Sequence, residues 1–203
     1  MDETTIKLDL GCGPLKKEGF IGIDQCKFDC VDYKLDLRKE PIPYEDNTVS
    51  YVFSSHFMEH LAGLSETQFV LSEIVRVCKN NATVEIWTPY VKSNEAFSVD
   101  HKIFYQEVAW IHICMHHADA WQASFKGRLV LKKLVFHLFE GVEKSLAEMK
   151  IPIRFALDHL WGIAWEIGAY MGVIKDINEA KRYQTEYPQR YICYSREGPL
   201  KPI

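Results

Sequence analysis

The stretch Leu8-Asp9-Leu10-Gly11-Cys12-Gly13-Pro14 constrains this chain more than any other. A short apolar strand over residues 6–10 runs into a loop with two glycines one residue apart. Bare backbone at a strand's end is how α/β folds bring main-chain amides against a nucleotide-like ligand. A tight turn explains the same two glycines. The residues that follow decide between the two readings.

Phe20-Ile21-Gly22-Ile23-Asp24 reads as a short strand ending on an acid, Val31-Asp32-Tyr33-Lys34-Leu35 as a third, and Val49-Ser50-Tyr51-Val52-Phe53 as a fourth. Ser65 and Gln68 form a capping-box pattern. The helix it opens carries Phe69, Leu71, Ile74, Val75 and Cys78, and Asn80-Asn81 is expected to end it. Thr83-Val84-Glu85-Ile86-Trp87 is a fifth strand, closed by Pro89. This alternation predicts an α/β fold with a mainly parallel sheet. Further on, residues 105–115 read as helical. Residues 128–139, β-branched and aromatic between Gly127 and Gly141, favour a strand. Residues 151–172 read as a long helix with Pro152 in its first turn, and residues 190–195 as a last strand.

A chain of 203 residues, 47% of them apolar, suffices for one domain with a real core, and 1–203 is read as one. The net charge of −4 argues against a generic nucleic-acid binder. Six scattered cysteines without a Cys-x-x-Cys pair read as reduced thiols. The acidic, polar residues 1–5 contain no basic-then-apolar leader, so a cytoplasmic location is expected. Arg154, Asp158, His159 and Glu166 interrupt the apolar run 151–174, which argues against a membrane span.

With these elements in order, the chain resembles the class I S-adenosylmethionine-dependent methyltransferases, in a compact bacterial branch similar to the type-11 enzymes. The resemblance rests on Leu10 to Pro14, on Gly19 to Asp24, and on Asp36-Leu37 with Pro43-Tyr44 and Asp46-Asn47. It continues through Ser54-Ser55-His56 with Glu59-His60-Leu61, residues 73–78, and Asp100-His101-Lys102 with Phe104-Tyr105. It implies a Rossmann-like, seven-stranded, mainly parallel sheet with helices on both faces. The run from Gly11 to Asp24 is too short for a full first crossover helix. Residues 1–105 are then the cofactor-binding half and 106–203 the acceptor-binding half.

The cofactor implied is S-adenosylmethionine. Gly11, Cys12 and Gly13 would face its methionyl and ribose portion, and Asp9 its amino-acid end. Asp24 would accept from the ribose hydroxyls, Asp36 from the adenine amino group, with Leu37 on the ring. Ser54 would lie where the methyl group meets the acceptor. Taken singly, strand-end aspartates are more often solvated residues or helix caps.

His56, His101 and, less favourably, His60 are the candidate bases for deprotonating an acceptor. His60 and Glu59 read equally well as structural. His112, His116 and His117 with Asp119 suggest a metal site, but nothing else completes it, and no metal is expected. The function implied is methyl transfer to an oxygen or nitrogen of a small molecule or glycan. The alternative is a methyltransferase-fold binding or scaffold module with reduced turnover. A homodimer, and a peripheral membrane contact through Arg128, Lys132, Lys133 and the tryptophans, stay open.

Overall fold

The computed structural model describes residues 5–185 and 187–203; most of the acidic N-terminal segment lies outside them. The strands are β1 (Ile6–Leu10), β2 (Ile21–Asp24), β3 (Tyr33–Lys34), β4 (Val49–Ser55) and β5 (Cys78–Pro89), then β6 (Arg128–Leu138), β7 (Ala164–Ile174), β8 (Gln189–Cys193) and β9 (Lys201–Pro202). They form one sheet in the order β3-β2-β1-β4-β5-β7-β6-β8-β9. The first five run parallel. β7 enters antiparallel between β5 and β6, and β8 follows β6 in parallel. The α/β architecture is as expected, but the sheet has nine strands rather than seven, β8 and β9 extending its far edge. Residues 11–20 join β1 to β2 without any helix.

The largest departure falls at residues 151–172. Only α5 (Ile153–His159) is helical; the chain then turns at Gly162, with φ +70°, into β7. An apolar run buried on all sides reads alike as helix or strand. β7 is that case, paired on both edges and packed on both faces. Gly168 fits a strand here, because an added Cβ would stand 2.8 Å from the Trp87 indole.

Two local expectations also fail. Helix α1 (Leu64–Val77) has Gly63 as its N-cap; Glu66 accepts from the Ala62 amide at 2.7 Å, while Gln68 reaches the Trp121 carbonyl instead. Asn80-Asn81 lies within β5, where Asn81 (φ +63°) takes the left-handed conformation beside the register shift between β4 and β5. The predicted helix at 105–115 is α2 (Glu107–Ile111) followed by a π-type turn at His112–His116 and the short α3 (Ala118–Trp121).

The two sheet faces are covered unequally. One packs α1, α2, α4 (Val142–Glu148) and α5 onto Leu8, Leu10, Val52, Val84, Phe136 and Ile167 in the main core. On the other, the helix contact is α6 (Ile177–Tyr183), whose Ala180 packs with Val130 and Ile174. Side chains cover the rest of that face. Lys17 Nζ lies 4.2 Å from the Phe53 ring centre, Lys133 Nζ 4.3 Å from that of Tyr170, and the Arg196 guanidinium 5.2 Å from that of Trp87. Beneath them, buried Glu85 accepts from Trp87 Nε1 at 2.6 Å, from the Tyr170 hydroxyl at 2.8 Å and from the Tyr51 hydroxyl.

The basic residues suggested for a membrane contact are placed differently from one another, with Arg128 buried, Lys133 partly buried and Lys132 exposed. Arg128 donates to the carbonyls of Gln122 and Gly127, and Lys132 and Lys133 lie over Tyr183 and Tyr170. No described helix is long and apolar enough to cross a membrane.

Candidate active site

The loop after β1 turns on two left-handed glycines, Gly11 (φ +66°) and Gly13 (φ +54°). A Cβ on Gly11 would stand 2.6 Å from the Phe57 side chain, so this position requires glycine. A Cβ on Gly13 would meet nothing within 4 Å, and its backbone faces open space. At the end of β2, Asp24 ties this loop to the next. It accepts from the Gly13 amide at 2.9 Å and the Cys26 amide at 2.7 Å. Each oxygen keeps acceptor capacity for a ligand.

The resulting cleft, of about 520 Å³, is lined by Gly11, Gly13, Asp24, Asp36, Leu37, Phe57 and Leu61 together with His56 and His60. It opens at the C-terminal ends of β1, β2, β3 and β4, where open α/β sheets bind ligands. Asp36 is held by a two-pronged bond from Arg38, at 2.7 and 2.9 Å. That guanidinium lowers its carboxyl to about 2.

Three expected cofactor residues lie behind the loop and not in the cleft lining. Asp9 is 2% exposed and accepts from the Lys17 amide at 2.7 Å, bracing the segment that stands in for a crossover helix. Burial raises its pKa against that bond. Cys12 is buried, its thiol pushed up to about 12 by desolvation. Ser54, also buried, donates to the Leu10 carbonyl at 2.9 Å.

His56 follows β4 with φ +54°, a strained conformation for a non-glycine residue and one that recurs at functional sites. Its Nε2 lies 3.0 Å from Glu166 Oε2 and its Nδ1 3.4 Å from Glu59 Oε1, and its ring stacks on Trp165. His60 Nδ1 lies 3.4 Å from Asp100 Oδ2. His101 lies outside the cleft lining, against Glu59 and the His60 ring.

Glu166 is fully buried. His137 Nδ1 at 2.7 Å and Arg196 Nε at 2.8 Å bond to its carboxylate, as do a second Arg196 nitrogen and His56. Burial pushes its pKa up, but hydrogen bonds from Arg196, His56 and His137 prevail and hold it at about 2. Beyond it lies a second cavity of about 600 Å³ lined by Glu95, His137, Phe139, Glu140, Trp165 and Tyr194. His56, Glu166 and His137 thus run from one cavity to the other.

Glu166, His137 and Arg196 escaped the sequence reading. Glu166 fell in a segment read as helix, and its charge there served only to exclude a membrane span. The histidines at 112, 116 and 117 stay a surface feature: His116 Nε2 meets the Tyr187 hydroxyl at 2.8 Å.

A family model described as "Methyltransferase domain" matches residues 23–86, a span holding Asp24, Asp36, Leu37, His56, Glu59 and His60. Among solved structures, the fold is similar to a SAM-dependent methyltransferase from Archaeoglobus fulgidus. That pair is 18% identical, with 84% of this chain and 87% of that chain covered at a TM-score of 0.58. A SAM-dependent methyltransferase from Methanosarcina mazei is 11% identical over 87% of this chain and 95% of that one, at 0.53. A putative sarcosine dimethylglycine methyltransferase from Galdieria sulphuraria is 16% identical over 85% and 80%, at 0.52. No curated protein matches the chain in sequence. The match over residues 23–86 is to a methyltransferase domain, and the fold of the chain is the one that SAM-dependent methyltransferases share. The cleft suits that cofactor on its own features. Left-handed glycines leave open space beside the backbone, Asp24 offers acceptor oxygens, and Leu37 and Phe57 offer apolar walls.

Proposed function

We propose that this protein transfers the methyl group of S-adenosylmethionine to an oxygen or nitrogen of a small molecule or glycan. The observation that carries the reading is His56, which lines the cofactor cleft and connects through Glu166 to the second cavity. Bound S-adenosylmethionine supplies a methyl group on a sulfonium, already activated toward a nucleophile.

The protein's part is to hold, orient and deprotonate. Gly11 and Gly13 admit the cofactor's methionyl and ribose portion, Asp24 accepts from its ribose hydroxyls, and Asp36 with Leu37 holds the adenine. Asp9, Cys12 and Ser54 fix the loop and strand that present these groups. With Nε2 bonded to Glu166, His56 Nδ1, which stands 3.4 Å from Glu59 without a hydrogen bond to it, is the nitrogen that takes the proton of the acceptor's hydroxyl or amine. Glu166, itself fixed by Arg196 and His137, orients the imidazole. The second cavity supports a polyhydroxylated acceptor, because Trp165, Phe139 and Tyr194 offer ring faces while Glu95 and Glu140 offer hydroxyl acceptors. Six unpaired cysteines support a cytoplasmic setting.

Calorimetric titration with S-adenosylmethionine, followed by transfer of labelled methyl to a panel of glycans and amines, tests the reading. Wild-type protein is expected to bind the cofactor, and Asp24→Ala to weaken that binding by about 100-fold, the loss of two charge-assisted bonds. His56→Ala is expected to keep binding but lower kcat by roughly 10²–10⁴-fold. A wild-type protein that binds no cofactor refutes it.

A further inference from the structure

Glu59 is 1% exposed, and neither of its carboxylate oxygens has a hydrogen-bond partner. Burying such a group without partners is costly. The other deeply buried glutamates, Glu85 and Glu166, are each held by three side chains. Glu59 is therefore a buried carboxylate without a hydrogen bond, with His56 Nδ1 standing off at 3.4 Å from its Oε1.

What surrounds it is a set of nitrogen donors. The Glu59 carbonyl accepts from the Lys102 and Ile103 amides at 2.7 and 3.1 Å, which fastens the 100–103 segment beside the turn after β4. This brings His101 to His60, ring centres 5.0 Å apart. One ligand atom each from Glu59, His60 and His101 lie within 4.8 Å of one another. His101 Nδ1 donates to the Ala96 carbonyl at 3.1 Å, so its Nε2 carries the lone pair. That nitrogen lies 4.0 Å from Glu59 Oε1, too far for a hydrogen bond. A backbone carbonyl fixing the far nitrogen of an imidazole is the usual support of a metal-ligating histidine.

We infer that Glu59, His60 and His101 hold a divalent transition-metal cation at the rim of the cofactor cleft. Two imidazoles and one carboxylate form a mixed nitrogen–oxygen set suited to manganese, iron or zinc, with positions left for exogenous oxygen ligands. Three equivalent donors about 2.1 Å from one cation lie at most about 3.6 Å apart, so the set must draw together by roughly 1 Å, within the reach of side-chain rotation. His60 lines the cleft, which gives the cation access to an acceptor oxygen. That use rests on the methyl-transfer reading; the binding itself does not.

The test is titration of chelator-treated protein with Mn2+, followed by the paramagnetic resonance signal of the free ion. One Mn2+ per chain is expected. Glu59→Gln and His101→Ala should each weaken it by about 100-fold, while binding of S-adenosylhomocysteine persists as evidence of an intact fold. His60→Ala, at a partly exposed residue, decides the matter should Glu59→Gln not fold. His112→Ala, in the surface cluster, should leave Mn2+ binding unchanged. Absence of stoichiometric binding by the wild type, binding indifferent to Glu59, His60 and His101, or binding lost with His112 would each overturn the site. A protein that takes up Mn2+ but no S-adenosylmethionine would refute the methyl-transfer reading and leave the metal site standing.

Discussion

Two buried carboxylates flank His56, one on each ring nitrogen, and their surroundings differ completely. Glu166 is hydrogen-bonded by Arg196, His137 and His56, whereas neither Glu59 oxygen accepts a hydrogen bond and His56 Nδ1 stands 3.4 Å away. The pKa directions follow. The hydrogen bonds to Glu166 overcome its burial and hold it at about 2, while burial raises Glu59. Neither carboxylate is exposed, so partners and not depth set the difference. A satisfied carboxylate stabilises its surroundings; an unsatisfied one stores a preference for a ligand.

The sharpest way to break this contrast is Arg196→Ala, which strips Glu166 of its cationic partner. It is expected to cost about 3 kcal/mol in urea unfolding, as for one partner lost from a buried pair. Glu59→Gln should do the reverse in metal-free protein. Removing an uncompensated buried charge is expected to gain about 1 kcal/mol, and Mn2+ should then no longer raise the melting temperature.

The mildest test is acid. The folded value of Glu166, about 2, lies below its ordinary 4.5. Its contribution is therefore complete above pH 4.5 and disappears as the pH falls through about 2. Unfolding curves between pH 6 and pH 3 should show this loss in the wild type and a flatter dependence in Arg196→Ala.

The same contrast marks what the sequence made legible. Gly11, Gly13, Asp24, Asp36, Leu37, His56 and His60 follow the ends of consecutive parallel strands, so their order in the chain already assembles the cleft. Asp9, Cys12 and Ser54 belong to the same stretches but turn away from the cleft. Side chains alternate along a strand, and a motif does not say which face the ligand takes. Glu166 lies 110 residues from His56, and only the antiparallel pairing of β7 with β5 brings the two together. Reading residues 151–172 as a helix hid that strand and with it the acid that bonds to the histidine. Its apolar positions are continuous because it is a central strand, and continuity erases the period that would identify it.

The two ends of the sheet carry a further consequence. A nine-stranded sheet has two outer edges whose unpaired amides and carbonyls invite pairing with another chain. Here both edges are strands of two residues: Tyr33–Lys34 at one end and Lys201–Pro202 at the other. Each carries a lysine, and Pro202 offers no amide hydrogen at all. Neither edge gives a long, uncharged template, so the sheet that displays the cleft resists the edge-to-edge stacking through which such sheets aggregate.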